Sequence, residues 1–225
     1  MAILNYAPPR YPYFETVYQD DDLIVINKAS GLLTVPGKAL EHKDSLQLRV
    51  KRVYPTATIV HRLDMATSGL IVLALNMDTH RKLSKAFELR QTSKSYLARV
   101  YGQLSQSTGS IDLPLICDWP NRPKQMVDHE RGKSALTHWR CVVSDNDESL
   151  VELTPVTGRS HQLRVHMLSI GHPILGDRLY AHEDALAAAS RLQLHAQSLG
   201  FTHPQTEQAL VFDCPAPFSL KCEGK

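Results

Sequence analysis

The chain has 225 residues, of which 43% are hydrophobic and 21% charged, with a formal net charge of +2 and eleven His. This is the composition of an ordinary globular protein, long enough for one large domain or two small ones. A charge of +2 is too mild to establish a polyanion partner, although a basic patch on one face would not show in the net charge.

The segment 1–14, MAILNYAPPRYPYF, is rich in Pro and Tyr and reads as an arm; it lacks the basic start and long apolar stretch of a signal peptide. ETVYQ and DLIVINK read as short strands joined by DDD, and NKASGLLTVPG breaks into a Gly/Pro loop. DSLQLRVKRVY predicts a short helix capped by Asp44 or Ser45. GLIVLAL is a buried strand, and DTHRKLSKAFELR a helix capped by Asp78 with Leu83 and Phe87 on one face. SYLARVYGQL alternates as a strand with Tyr96 near its start. LPLICDWPNRPKQMVDHERGKSA is turn-rich and carries Arg122, Lys124, Arg131 and Lys133. THWRCVV and SLVELTPV are two more strands, HQLRVHMLSI is a helix ended by Gly171, DALAAASRLQ is a further helix, and LHAQSLGFTH and ALVFDCP are closing strands. These elements predict an α+β fold, a single domain with a large, mostly antiparallel mixed sheet flanked by helices and loops.

No apolar run approaches the roughly 18 residues of a spanning helix. Cys117, Cys141, Cys214 and Cys222 form no CxxC pair, which argues against a zinc site and a disulfide framework. A cytoplasmic chain with reduced thiols is the expectation.

The segment with the most chemistry is HRLDMATSG at 61–69, between the apolar runs TATIV and LIVLALN. Asp64 is either a turn residue or an enclosed carboxylate, and an enclosed carboxylate needs a partner or a proton. Arg164, on the helix of GRSHQLRVHM, is either a snorkelling surface residue or that partner. Tyr96 reads on its own as a packing residue. Strand alternation would place Arg62 on the same side as Asp64. His161 and His166 lack the i, i+4 spacing of a zinc helix. VINK and HRLD are superficially like kinase elements, but no GxGxxG precedes and no DFG follows. The residues themselves leave two classes open: a metal-free carboxylate enzyme acting on an anionic polymer, and an RNA-binding module.

HRLDMATSGLIVLAL, NKASGLLTVPG, GRSHQLRVHM with GHPILGDRLY, and LHAQSLGFTHP, in this order, resemble the motifs of the RluA family of RNA pseudouridine synthases nearly end to end. Ala29 stands where that family usually has Pro, which removes a fixed φ. The likeness is to its short, dual-specificity branch. It implies a catalytic domain over 15–225 behind the 1–14 arm, an RNA-binding cleft and no S4 domain. It further implies base flipping and isomerisation of uridines in 23S ribosomal RNA and the transfer RNA anticodon stem-loop, with no cofactor or metal. By resemblance Asp64 is the essential carboxylate, Arg164 its ion-pair partner, Tyr96 the residue that stacks on the base and takes the C5 proton, and Arg62 the residue that fills the vacated space. Arg122, Lys124, Arg131 and Lys133 are candidate phosphate contacts. The partner implied is structured RNA, acted on by a monomer without a membrane.

Overall fold

The computed structural model describes residues 6–220. Residues 1–5 of the expected arm, and Cys222, lie outside the described residues. In chain order the elements are β1 (Glu15–Gln19), β2 (Leu23–Lys28), a 3-10 turn (Leu40–His42), α1 (Leu46–Lys51), β3 (Thr58–Ile59), β4 (Ser68–Ala74), α2 (Met77–Glu88) and β5 (Ser93–Tyr101). There follow β6 (Thr108–Asp112), β7 (Leu115–Cys117), β8 (Gln125–Val127), β9 (Leu136–Ser144), β10 (Glu148–Pro155), α3 (Gln162–Ser169), α4 (Glu183–Ala187), β11 (Leu194–Thr202) and β12 (Ala209–Asp213). The class is α+β, with mostly antiparallel strands, as the sequence predicts.

The chain packs as two compact units. One holds the described residues 6–94 together with His195–Pro215. Its strands run in the order β1-β2-β4-β11, with β12 beside β11 and β3 beside β4. All pairs are antiparallel except β4 with β11, which are parallel through His195↔Ser68 and Ala196↔Gly69. β4 is buried at every position, which is why SGLIVLA reads as an unbroken apolar run. Leu23, Val25, Leu70, Val72 and Ala74 pack with Leu83 of α2, and Phe87 joins them one turn later, so the predicted helix face is the buried one. The cap of α2 differs from expectation. Asn76 accepts the Thr79 N–H at 2.9 Å, and Asp78 lies inside the first turn, where its charge suits the helix N-terminus. For α1, the Ser45 alternative is the cap. The DDD turn closes through Asp20 Oδ1, which accepts from the N–H groups of Asp22 and Leu23.

The other unit holds Ser95–Leu194 and, among the described residues, 216–220. Its main strands run β5-β10-β9-β6, all antiparallel. The turn-rich stretch contains a small hairpin, β7–β8, paired from Leu115↔Val127 to Cys117↔Gln125, and β6 precedes it. Sequence patterning gives none of these three strands. α3 is buried from Gln162 through Met167 and so is a core helix on all faces. It ends as expected: Gly171 has φ +87, its N–H donates to Leu168 O, and the His172 N–H donates to Met167 O.

Candidate active site

In the first unit, β2 occupies one edge of β4, so β3 and β11 must share the other. β11 takes Ser68 and Gly69, and β3 takes Leu73 and Ala74. Between them the backbone N–H of Val72 is left to a side chain: it donates to His61 Nε2 at 3.1 Å. The imidazole therefore stands in for a strand carbonyl, and the chain can leave the sheet at His61 without orphaning that donor. Residues 62–64 then run without regular structure. The strand alternation expected for Arg62 and Asp64 does not hold, because no strand is present there. Arg62 is exposed and Asp64 half-buried.

His61 also stacks on Phe87, with centroids 4.3 Å apart. Burial holds its imidazole down at about 3, from an ordinary 6.5. The unfolded chain takes up a proton below about pH 6.5 that the folded chain refuses, so stability from this group is full above that pH and is lost as pH falls. Between pH 6.5 and 4.5 the loss is about 2 kcal/mol. Urea unfolding of His61→Gln should show a correspondingly shallower acid dependence than the parent chain.

The early loop grips the segment around Asp64. Lys28 is fully buried, and its Nζ donates to Leu32 O at 2.8 Å, Ala29 O at 2.9 Å and Met65 O at 3.2 Å. Gly31 N–H donates to the same Met65 carbonyl at 2.8 Å. Ser30 Oγ donates to Ala66 O and Thr34 Oγ1 to Leu63 O, both at 2.7 Å. Asp64 O accepts from Thr67 N–H at 3.2 Å, closing the turn. Carbonyls on both sides of Asp64 are thus fixed, and the carboxylate is carried by a rigid stretch of main chain. Gly69 follows at φ +110, and a Cβ there would lie 2.3 Å from Ala196 O. Only glycine allows β4 and β11 to approach at this point.

In the other unit Tyr96 is half-buried on β5, opposite Leu153 of β10. Arg164 is not a surface residue. It is buried in α3, and its Nε and Nη2 donate to Asp177 Oδ2 and Oδ1 at 2.7 and 2.6 Å. Asp177 is itself buried and also accepts the Leu179 N–H at 2.9 Å. This bidentate pair fixes the plane of the guanidinium. Breaking it from the acid side removes a carboxylate that neutralises and orients a buried cation. Asp177→Asn should therefore cost about 3 kcal/mol, seen as a fall of several degrees in the thermal unfolding midpoint.

Of the loop cations, Arg122 is exposed on the β7–β8 connection with its guanidinium 4.4 Å from the Trp119 ring centroid. Lys124 ends the same connection and is half-buried. Arg131 is exposed but forks onto Asp128, while Lys133 is exposed and backbone-bonded to Leu115. Sequence reasoning missed Lys28, Ser30, Thr34 and Asp177. The signal for Asp177 was an acidic residue just past a Gly within the apolar stretch PILGDRLY.

The family model for RNA pseudouridylate synthase matches residues 22–169. The dual-specificity RNA pseudouridine synthase RluA of Yersinia pestis is 59% identical over 90% of this chain and 98% of its own. The enzyme of the same name from Escherichia coli K12 is 54% identical over 97% of this chain and 100% of its own. Among solved structures, human RNA pseudouridylate synthase domain containing 1 is similar at a TM-score of 0.77 and 28% identity, covering 95% of this chain and 87% of that one. A match over most of the chain, on the motifs that fix Asp64 in place, settles the family: this chain belongs to the RNA pseudouridylate synthases.

Proposed function

We propose that the chain isomerises specific uridines in both 23S ribosomal RNA and the anticodon stem-loop of transfer RNA, with Asp64 as the essential carboxylate. That it is an isomerase converting uridine to pseudouridine in RNA follows from its family. Two kinds of target are supported by the dual specificity of relatives that match it over nearly their whole length.

The observation that carries the catalytic reading is the grip of Lys28, Ser30, Gly31 and Thr34 on the carbonyls flanking Asp64. In the reaction the bond from N1 to C1′ breaks, the uracil turns, and C5 bonds to C1′. C5 then loses its proton and N1 carries one. Nothing is oxidised or consumed. Asp64 attacks C1′ or removes the 2′ proton, and both routes need it ionised and aimed. Arg164, oriented by Asp177, is the cation that keeps it so. Tyr96 stacks on the base and takes the C5 proton. The target must leave the helical stack first, and exposed Arg62 fills its place. Arg122, Lys124, Arg131 and Lys133 hold phosphates, with Arg131 exchanging Asp128 for a phosphate oxygen.

Residues 15–225 are read as the catalytic domain. The preceding arm is tied to it where Tyr6 Oη donates to Asp44 O and Arg49 Nη1 donates to Tyr13 O. The chain is read as a cytoplasmic monomer. Among the described residues no helix is long and apolar enough to cross a membrane.

An enzyme that serves two RNAs must read what they share, and a stem-loop with cheaply splayed bases is the smallest such unit. The isolated anticodon stem-loop should release tritium from labelled uridine nearly as fast as full-length transfer RNA. A rate more than about a hundredfold lower, some 2.7 kcal/mol of transition-state stabilisation, would show that remote contacts dominate. Mapping pseudouridines in RNA from cells with and without the gene tests the two target classes directly.

A further inference from the structure

Tyr180 touches three parts of its unit that are far apart in sequence. Its hydroxyl accepts the backbone N–H of Gln125, the first residue of β8, at 2.7 Å. His161 Nδ1 lies 2.7 Å from the same oxygen, and the two rings meet edge to face with centroids 5.6 Å apart. The guanidinium of Arg164 lies 5.0 Å from the Tyr180 ring centroid, and its plane is set by Asp177.

Each contact has a mechanical meaning. Gln125 directly follows the 118–124 connection that presents Trp119 and Arg122 to solvent, so the Gln125 bond fixes the base of that tip. His161 is the N-terminal cap of α3 and sits at φ +54, a conformation that a non-glycine residue keeps only when its surroundings hold it. Arg164 lies on the first turn of the same helix. Tyr180 also packs on the cluster of Leu115, Ala135 and Val165, which joins β7 to α3. A displacement of the hairpin tip therefore has a route through Tyr180 to the first turn of α3, beside the packing of Leu115 and Val127 on Val165.

We propose that Tyr180 is a positioning residue that couples RNA engagement at the Trp119–Arg122 tip to the orientation of Arg164. RNA held at the tip sets the hairpin. The hairpin sets the Tyr180 hydroxyl, and the ring and His161 hold the first turn of α3 in the geometry that aims the guanidinium. The coupling rests on the reading of Arg164 as the cation serving the catalytic carboxylate.

The test is a double-mutant cycle of Arg122→Ala and Tyr180→Phe, read as the single-turnover tritium-release rate on stem-loop RNA at saturating enzyme. RNA affinity and the unfolding midpoint are measured alongside. Each single substitution should slow the saturated rate by about tenfold, and the double variant should be about tenfold slower too, because both cut the same path. Tyr180→Phe should leave affinity and the unfolding midpoint close to the parent, a split that a purely structural tyrosine would not give. His161→Asn, which tolerates φ above zero, should reproduce the Tyr180→Phe rate and serves if the phenylalanine variant is unstable. A double variant about a hundredfold slower, either single variant at full rate, or a loss confined to affinity or stability overturns the coupling. Arg164→Lys on the same RNA separates the two readings. Full activity there removes the role of Arg164 itself, while a dead Lys variant with a multiplicative cycle removes only the coupling through Tyr180.

Discussion

Asp64→Asn is expected to lower turnover by at least about a thousandfold, some 4 kcal/mol of transition-state stabilisation, while RNA affinity stays within about tenfold. The carboxamide is nearly the same size, and the loop around it is held through carbonyls of Leu63, Met65 and Ala66 that the substitution leaves in place. What disappears is the anionic oxygen, without which neither attack at C1′ nor removal of the 2′ proton can proceed. Affinity is supplied mainly by phosphate contacts, to which one carboxylate contributes little. Tritium release measures the first quantity and filter binding the second. Substantial turnover by the Asn variant on a confirmed substrate would remove Asp64 from its role. A parent chain inactive on every candidate RNA would favour the binding-module reading instead.

Tyr96→Phe should be nearly as severe in rate, by about a hundredfold or more, since in the proposed mechanism it keeps the stacking ring and removes the group that takes the C5 proton. Binding and base flipping should survive. Arg62→Ala should behave in the opposite way. Arg62 is exposed on an irregular segment, so its loss leaves the fold untouched and weakens the flipped state. A 2-aminopurine beside the target uridine reports flipping by fluorescence. Loss of that signal in Tyr96→Phe with retention in Arg62→Ala would mean the two roles are exchanged.

What could be read in the sequence followed the range of the interactions. β2, β4, α2 and α3 are marked by apolar runs and periodicity, and all four are where those signals put them. The strand β6, TGSID, is a mostly exposed edge strand with one buried residue, Ile111, so it carries no apolar signature. β7 and β8 are three residues each and exist through pairing with one another. The Asn76 cap was missed because Asp78, two residues on, is an equally good cap by type. Asp64 stands out as a carboxylate between apolar runs, and the motifs gave it a role by resemblance. The means of holding it was invisible, because Ser30 and Thr34 donate to carbonyls 36 and 29 residues away. The Arg164–Asp177 fork spans 13 residues across a helix end and a turn, where no period relates the partners.

The grip on the loop around Asp64 reaches carbonyl oxygens, and every amino acid has one. The residues at positions 65 and 66 can therefore diverge in side chain without moving the carboxylate beside them. The donors Lys28, Ser30 and Thr34 have no such latitude, although they lie in a different stretch of sequence. A lineage of such enzymes can thus alter the surface next to Asp64 to suit new RNAs while inheriting the placement of that carboxylate unchanged, so that change in substrate choice is uncoupled from the upkeep of the loop.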